Sequence, residues 1–78
     1  MRIRLYGRLV DAIGREVELD ASEGSAIADV RQRLAARYPS AAESLARSRA
    51  IIGDRAAPDR HVVAPGDVLE FLPPVSGG

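Results

Sequence analysis

The chain has 78 residues with 11 acidic and 11 basic side chains, so its formal charge at pH 7 is zero. That balance leaves no electrostatic footprint for nucleic acid or an anionic membrane. There is no cysteine, which excludes disulfides and thiolate metal sites, and every basic residue is arginine, which excludes a lysine base, a Schiff base or an isopeptide bond on a side chain.

The length suits one domain near the lower limit at which a single core sustains itself. Its aromatics are only Tyr6, Tyr38 and Phe71, so the core must be built from aliphatics. No apolar run approaches the length needed to span a bilayer, and Met1-Arg2-Ile3-Arg4 lacks the apolar segment of a signal peptide. A cytoplasmic location is the expectation.

In chain order, residues 2–9 open as a strand, with Ile3 and Leu5 facing inward and Arg2 and Arg4 outward. Val10 to Gly14 breaks the alternation. Residues 15–20 alternate again, with Val17 and Leu19 inward and Glu16 and Glu18 outward. The two strands read as an antiparallel pair that sets Arg2 and Arg4 against Glu16 and Glu18, a solvated charge ladder. Ser22 to Ser25 reads as a turn, with Ser25 as the N-cap of a helix. Ile27, Val30, Leu34 and Tyr38 then recur at three- and four-residue spacing, placing Arg31, Arg33 and Arg37 off the apolar stripe, and Pro39 ends the helix.

Residues 40–47 predict a short helical turn anchored by Leu45, and Ala50-Ile51-Ile52 a short strand closed by Gly53-Asp54. Residues 55–59 read as polar loop, and 60–63 as a further short strand. His61, the one histidine, has no second ligand grouped near it and reads as a surface residue. Ala64-Pro65-Gly66-Asp67 is a turn. Val68 to Leu72 forms the last strand, with Leu69 and Phe71 on one face and Glu70 on the other. One helix across a mixed sheet of four or five strands is the economical α+β arrangement, a ubiquitin-like β-grasp with the first and last strands parallel at its centre. The compact domain is residues 1–72, and 73–78 form an extended, flexible tail.

That tail carries the specific signal. Phe71-Leu72-Pro73-Pro74-Val75-Ser76-Gly77-Gly78 turns from strand residues to two prolines and ends in diglycine. With the strand order, it resembles the MoaD/ThiS family of ubiquitin-like sulfur carriers, and within it the MoaD branch, the small subunits of molybdopterin synthase. Residues 66–78 follow the family's pattern almost position by position. The opening strand with its Ile13-Gly14 turn, and the helix ending in Tyr38-Pro39, match more loosely. In one departure, Ile52 precedes Gly53 where relatives usually carry asparagine.

The resemblance implies a cycle. An E1-like, MoeB-like enzyme adenylates the carboxylate of Gly78 with ATP, and a sulfur donor enzyme supplies the atom that makes it a thiocarboxylate. The tail then enters the large, MoaE-like synthase subunit, in a heterotetramer of two small and two large subunits. There the sulfur passes to a cyclic pyranopterin phosphate to build the molybdopterin dithiolene. This chain is then a sulfur-donating subunit without catalytic side chains, metal or bound cofactor, and ATP is used by the activating enzyme.

The residue types suit that chemistry. A carboxylate is a poor electrophile, and adenylation gives it a good leaving group. Pro73 and Pro74 lack an N–H and fix φ near −65°, ending sheet pairing and stiffening the spacer. Fully extended, residues 73–78 span roughly 20 Å. With Val75 and Ser76 they form the segment that threads a partner's channel, where Gly77 and Gly78, lacking Cβ, pass a narrow bore. Leu72, Phe71, Ile51 and Ile52 are the candidate docking residues. Three other readings stay open: a ubiquitin-like modifier conjugated through Gly78, a sulfur carrier for another pathway such as thiamine thiazole synthesis, and a β-grasp binding module without chemistry.

Overall fold

A computed structural model describes residues 1–20 and 25–74. Its elements in chain order are β1 (Arg2–Leu5), α1 (Arg8–Ala12), β2 (Glu16–Glu18), α2 (Ile27–Arg37), a 3₁₀ turn (Pro39–Ala41), α3 (Ala42–Arg47), β3 (Arg49–Ile52), β4 (Arg55–Ala56) and β5 (Val68–Leu72). The strands form one sheet in the order β2-β1-β5-β3-β4. β1 and β5 run parallel at its centre, pairing Arg2 with Val68, Ile3 with Leu69, Arg4 with Glu70 and Leu5 with Phe71. This is the ubiquitin-like β-grasp.

Alternation decides which side is covered. Ile3, Leu5, Leu69 and Phe71 are buried in one cluster with Ile27, Val30 and Leu34 of α2, Leu45 of α3 and Leu9 of α1. The other sheet face carries Arg2, Arg4, Glu16 and Glu18, with Arg2 opposite Glu18 and Arg4 opposite Glu16. Arg2 Nε lies 3.5 Å from Glu16 Oε1 and 3.7 Å from Glu18 Oε1, and Arg4 Nε lies 3.7 Å from Glu16 Oε1. These exposed pairs contribute a few tenths of a kcal/mol each, roughly, and set strand register more than stability.

Four expectations change. The first strand ends at Leu5, and the break before Gly14 contains helix α1. Five residues are too few for periodicity, and Leu9 holds this turn by reaching the core. The N-cap of α2 is Ala26, with no side-chain capping bond, and not Ser25. Ser25 stands just before it, its carbonyl accepting from Val63 N–H at 3.0 Å. The rest of the expected turn before Ser25, residues 22–24, lies outside the described residues.

Residues 55 and 56 form β4, not loop, pairing with Ile52 and Ile51. Gly53 and Asp54 both take positive φ, 57° and 65°, the geometry of a two-residue hairpin turn whose twist matches the strands. The turn closes with Ile52 before it. Residues 60–63 make only an isolated bridge, Val62 to Ala26.

Arg31, off the apolar stripe of α2, is not solvated: its side chain is 15% exposed. Its Nε donates to Asp59 Oδ1 at 3.0 Å, and its Nη1 donates to Ser48 Oγ at 2.9 Å and to the Leu45 carbonyl. Its guanidinium sits 5.0 Å from the Phe71 ring centroid. One planar fork thus joins α2, α3, the segment before Val62 and β5. Arg31→Ala is expected to lower stability by about 2–3 kcal/mol, with Arg31→Lys recovering only part, because an ammonium cannot reproduce the fork and the stacking. Urea unfolding at an unchanged denaturant slope checks this.

Candidate functional site

The parallel pairing of β1 and β5 sends both strands to the same end of the sheet. β1 continues into Tyr6-Gly7-Arg8, and β5 into Pro73-Pro74. Pro73 has no N–H to extend a ladder, so pairing stops at Leu72. Gly7 has φ 62° and ψ −136°, a backbone conformation open almost only to glycine. A Cβ placed there would lie 3.0 Å from Pro73 Cγ. Both conformation and space therefore demand glycine, and the proline ring rests against its backbone. Tyr6, Arg8, Ser44, Arg47, Pro73 and Pro74 line a groove of about 570 Å³ at this root. Arg47 Nη2 pairs with Glu43 Oε1 at 3.1 Å on its rim.

Beside the root, the uncovered sheet face carries a partly apolar strip. Leu72 is paired with Arg49 and Ile51 with Glu70, both half-buried on that face. Val68 and Tyr6 extend it, 37% and 39% exposed. Tyr6 Oη donates to Glu70 Oε2 at 2.5 Å. That hydrogen bond to a carboxylate, aided by desolvation, raises the phenol above its ordinary value.

The expected docking residues divide. Leu72 and Ile51 lie on the open face. Phe71 does not: it is 0% exposed, under Arg31, and has no surface to offer a partner. Ile52 pairs with buried Leu69 and packs partly buried against the core, so it too leaves the docking set. Pro73 and Pro74 are exposed at the root. Val75, Ser76, Gly77 and Gly78 lie outside the described residues. Sequence reasoning missed Tyr6 and Val68. The signal was present, since Tyr6 continues the outward alternation of Arg2 and Arg4, and Val68 that of Glu70. His61 is exposed, and among the described residues no group of three or more His, Cys, Asp or Glu side chains could hold a metal. No helix there is long and apolar enough to cross a membrane.

The ThiS family model matches residues 3–78. No curated protein matches the sequence. Among solved structures, the small archaeal modifier protein 1 of H. volcanii is 22% identical with a TM-score of 0.77, covering 95% of each chain. A protein assigned as molybdopterin converting factor subunit 1 from Pyrococcus furiosus is 20% identical with a TM-score of 0.83, again covering 95% of each chain. The complex of subunits 1 and 2 of molybdopterin-converting factor from Helicobacter pylori 26695 contains a chain 19% identical with a TM-score of 0.68, covering 99% of this chain and 96% of that one. At these identities the likeness is one of fold.

Two outcomes follow from the root geometry. Gly7→Ala is expected to cost on the order of 1–3 kcal/mol and to shift the resonances of Pro73 and Pro74, because the new methyl displaces the ring. Denaturant unfolding with NMR of that segment checks both. The Tyr6 phenol is expected to ionise above its ordinary value, held protonated by its hydrogen bond to the Glu70 carboxylate. Because its folded value is raised, the contribution of the pair is present below the ordinary value and fades as pH rises through the raised one. Glu70→Ala should bring the Tyr6 midpoint down in an NMR titration of its ring.

Proposed function

The chain belongs to the ThiS family, MoaD/ThiS-type ubiquitin-like carriers, and from that premise we propose that it is the sulfur carrier subunit of a molybdopterin synthase. The observation that carries the reading is the segment after β5. A central strand ends at Leu72, two exposed prolines follow, the first against Gly7, and the sequence runs on through Val75 and Ser76 to Gly77-Gly78. In this reading the reactive group is the carboxyl of Gly78. An adenylating enzyme joins a carboxylate oxygen to the α-phosphorus of ATP with loss of pyrophosphate, and sulfide-level sulfur from a donor enzyme then adds to the acyl carbon and expels the nucleoside monophosphate to give the thiocarboxylate. ATP is consumed by the activating enzyme, and this chain holds no cofactor of its own.

The large synthase subunit is the proposed partner. The Helicobacter pylori complex supports it, being a pairing of subunits 1 and 2 in which one chain has the same fold as this one. Leu72, Ile51 and Tyr6 near the root, with Val68 at the other end of β5, are the proposed docking strip, and seating its near end directs residues 73–78 towards the partner's channel. Burial of an aliphatic side chain there is worth roughly 1.5–3 kcal/mol, which offsets part of the 1–2 kcal/mol per residue, roughly, of ordering the tail. Two small and two large subunits complete the proposed assembly, in which the acceptor is a cyclic pyranopterin phosphate and the large subunit holds the catalytic side chains.

A second reading has an observation of its own. The H. volcanii neighbour is a small archaeal modifier protein with the same fold, and conjugation of this chain through Gly78 would need the same activation of its carboxylate. The mass of the C-terminal peptide from protein isolated from its native host separates the two. The expected result is the gain of replacing one carboxyl oxygen by sulfur, located on Gly78. Diglycine remnants on lysines of other proteins, with no sulfur on Gly78, would favour the modifier.

A further inference from the structure

We infer that the enzyme activating this chain reads the root of the tail through carboxylates, which pair with Arg49 on the β3 side of Pro73 and Arg8 on the α1 side. The inference rests on activation of the terminal carboxyl, the step that the carrier and modifier readings share. It adds which surface that partner recognises and with what chemistry.

The sheet order β1-β5-β3 puts Leu72 between two strands, with Arg49 of β3 directly opposite it. Partners in register share a face, so Arg49 stands on the open face beside Leu72, the last residue before Pro73. Arg49 is exposed, and among the described residues its charge has no ion pair. The carboxylate of the next row, Glu70, lies opposite Ile51 and Arg4 and accepts from the Tyr6 hydroxyl. Towards β2 the same face is balanced, since Arg2 and Arg4 pair with Glu16 and Glu18. Towards β3 it is not.

On the other side of Leu72, the chain runs from β1 through Tyr6 and Gly7 to Arg8, which lines the groove with Pro73, Pro74 and Arg47. Arg47 has Glu43 as its partner at 3.1 Å. Arg8 is exposed with no ion pair among the described residues, so its charge is the one the groove leaves unbalanced. The tail thus leaves the sheet between two free guanidiniums, with Leu72 and the Pro73 ring between them. A guanidinium is planar, weakly hydrated and matches a carboxylate bidentately, which suits a protein interface. Two cations bracketing apolar residues, on a chain of zero formal charge, do not make the continuous basic stripe that a nucleic acid needs. The complementary surface is that of a protein with an acidic side chain on each side of its channel mouth. Such a surface steers the root into register before the tail is threaded.

The test is chain-dependent ATP–pyrophosphate exchange by the adenylating enzyme of the same organism, with the full chain varied in concentration at low and moderate salt. Arg8→Ala with Arg49→Ala is expected to raise the KM for the chain roughly 3- to 10-fold at low salt and to flatten its rise with salt. Its kcat and unfolding midpoint should stay at the wild-type values, since the lost contacts are made equally before and during the chemical step. Arg8→Lys with Arg49→Lys keeps both charges and should retain most of the wild-type KM and its salt dependence. The control is Arg55→Ala with Arg60→Ala, which removes two exposed charges outside the groove and the Leu72 row and should leave KM unchanged. An unchanged KM in the Arg8 and Arg49 alanine pair would overturn the inference. So would an equal rise in the control, since net charge alone would then be the cause. Absence of exchange with the wild-type chain would remove the activation reading, and the inference with it.

Discussion

The parallel pairing of Arg2–Leu5 with Val68–Leu72 is the constraint from which the rest of the molecule follows. It puts the two most buried strands side by side, with Ile3, Leu5, Leu69 and Phe71 on one face, and those residues give α2 and α3 a floor to cover. It also fixes direction. Because both strands point the same way, Tyr6 and Gly7 lie beside the place where β5 ends, and the chain's last segment starts from the rigid centre of the sheet. A tail rooted on an edge strand would inherit the fraying of that edge; one rooted between β1 and β3 inherits the stability of the core.

Direction alone does not end a strand. Pro73 does, by removing a donor, and Gly7 makes room for it. The open sheet face beside this root divides the labour by residue type: an arginine–glutamate ladder towards β2, and Leu72, Ile51, Val68 and Tyr6 towards β5 and β3. Opposite, at the start of β1, the Met1 amine is held by Leu19.

Much of this was legible in the residues because it depends on short-range period. The alternation of residues 2–5 and 68–72 fixes which side chains face the core, and the three- and four-residue spacing from Ile27 to Leu34 fixes the helix face. What failed depends on single backbone angles or on register between distant segments. Nothing near Arg8 reveals a five-residue helix until Leu9 is seen in the core. The positive φ of both Gly53 and Asp54 turns an apparent loop into β4. Phe71 and Ile52 leave the docking surface because alternation shows that a strand has two faces without saying which of them the helices cover. Arg31 reads only as lying off the apolar stripe until its distant partners Ser48, Asp59 and Phe71 are assembled around it. At the site, the root was foreseeable from Pro73 and Pro74, and the outward side of Tyr6 from the alternation of Arg2 and Arg4, whereas its partner Glu70 needed the register of β1 against β5.

The central proposal is a division between a folded handle and one reactive group, and the position of that group is the point most exposed to test. The direct measurement is formation of the thiocarboxylate by the activating enzyme and sulfur donor of the same organism, with ATP, on the intact chain and on a chain with one alanine added after Gly78. The expected result is the sulfur mass gain on the intact chain and none on the extended one, with the same unfolding midpoint for both. Equal sulfur transfer to both chains would contradict the assignment of the reactive atom to the carboxyl of Gly78.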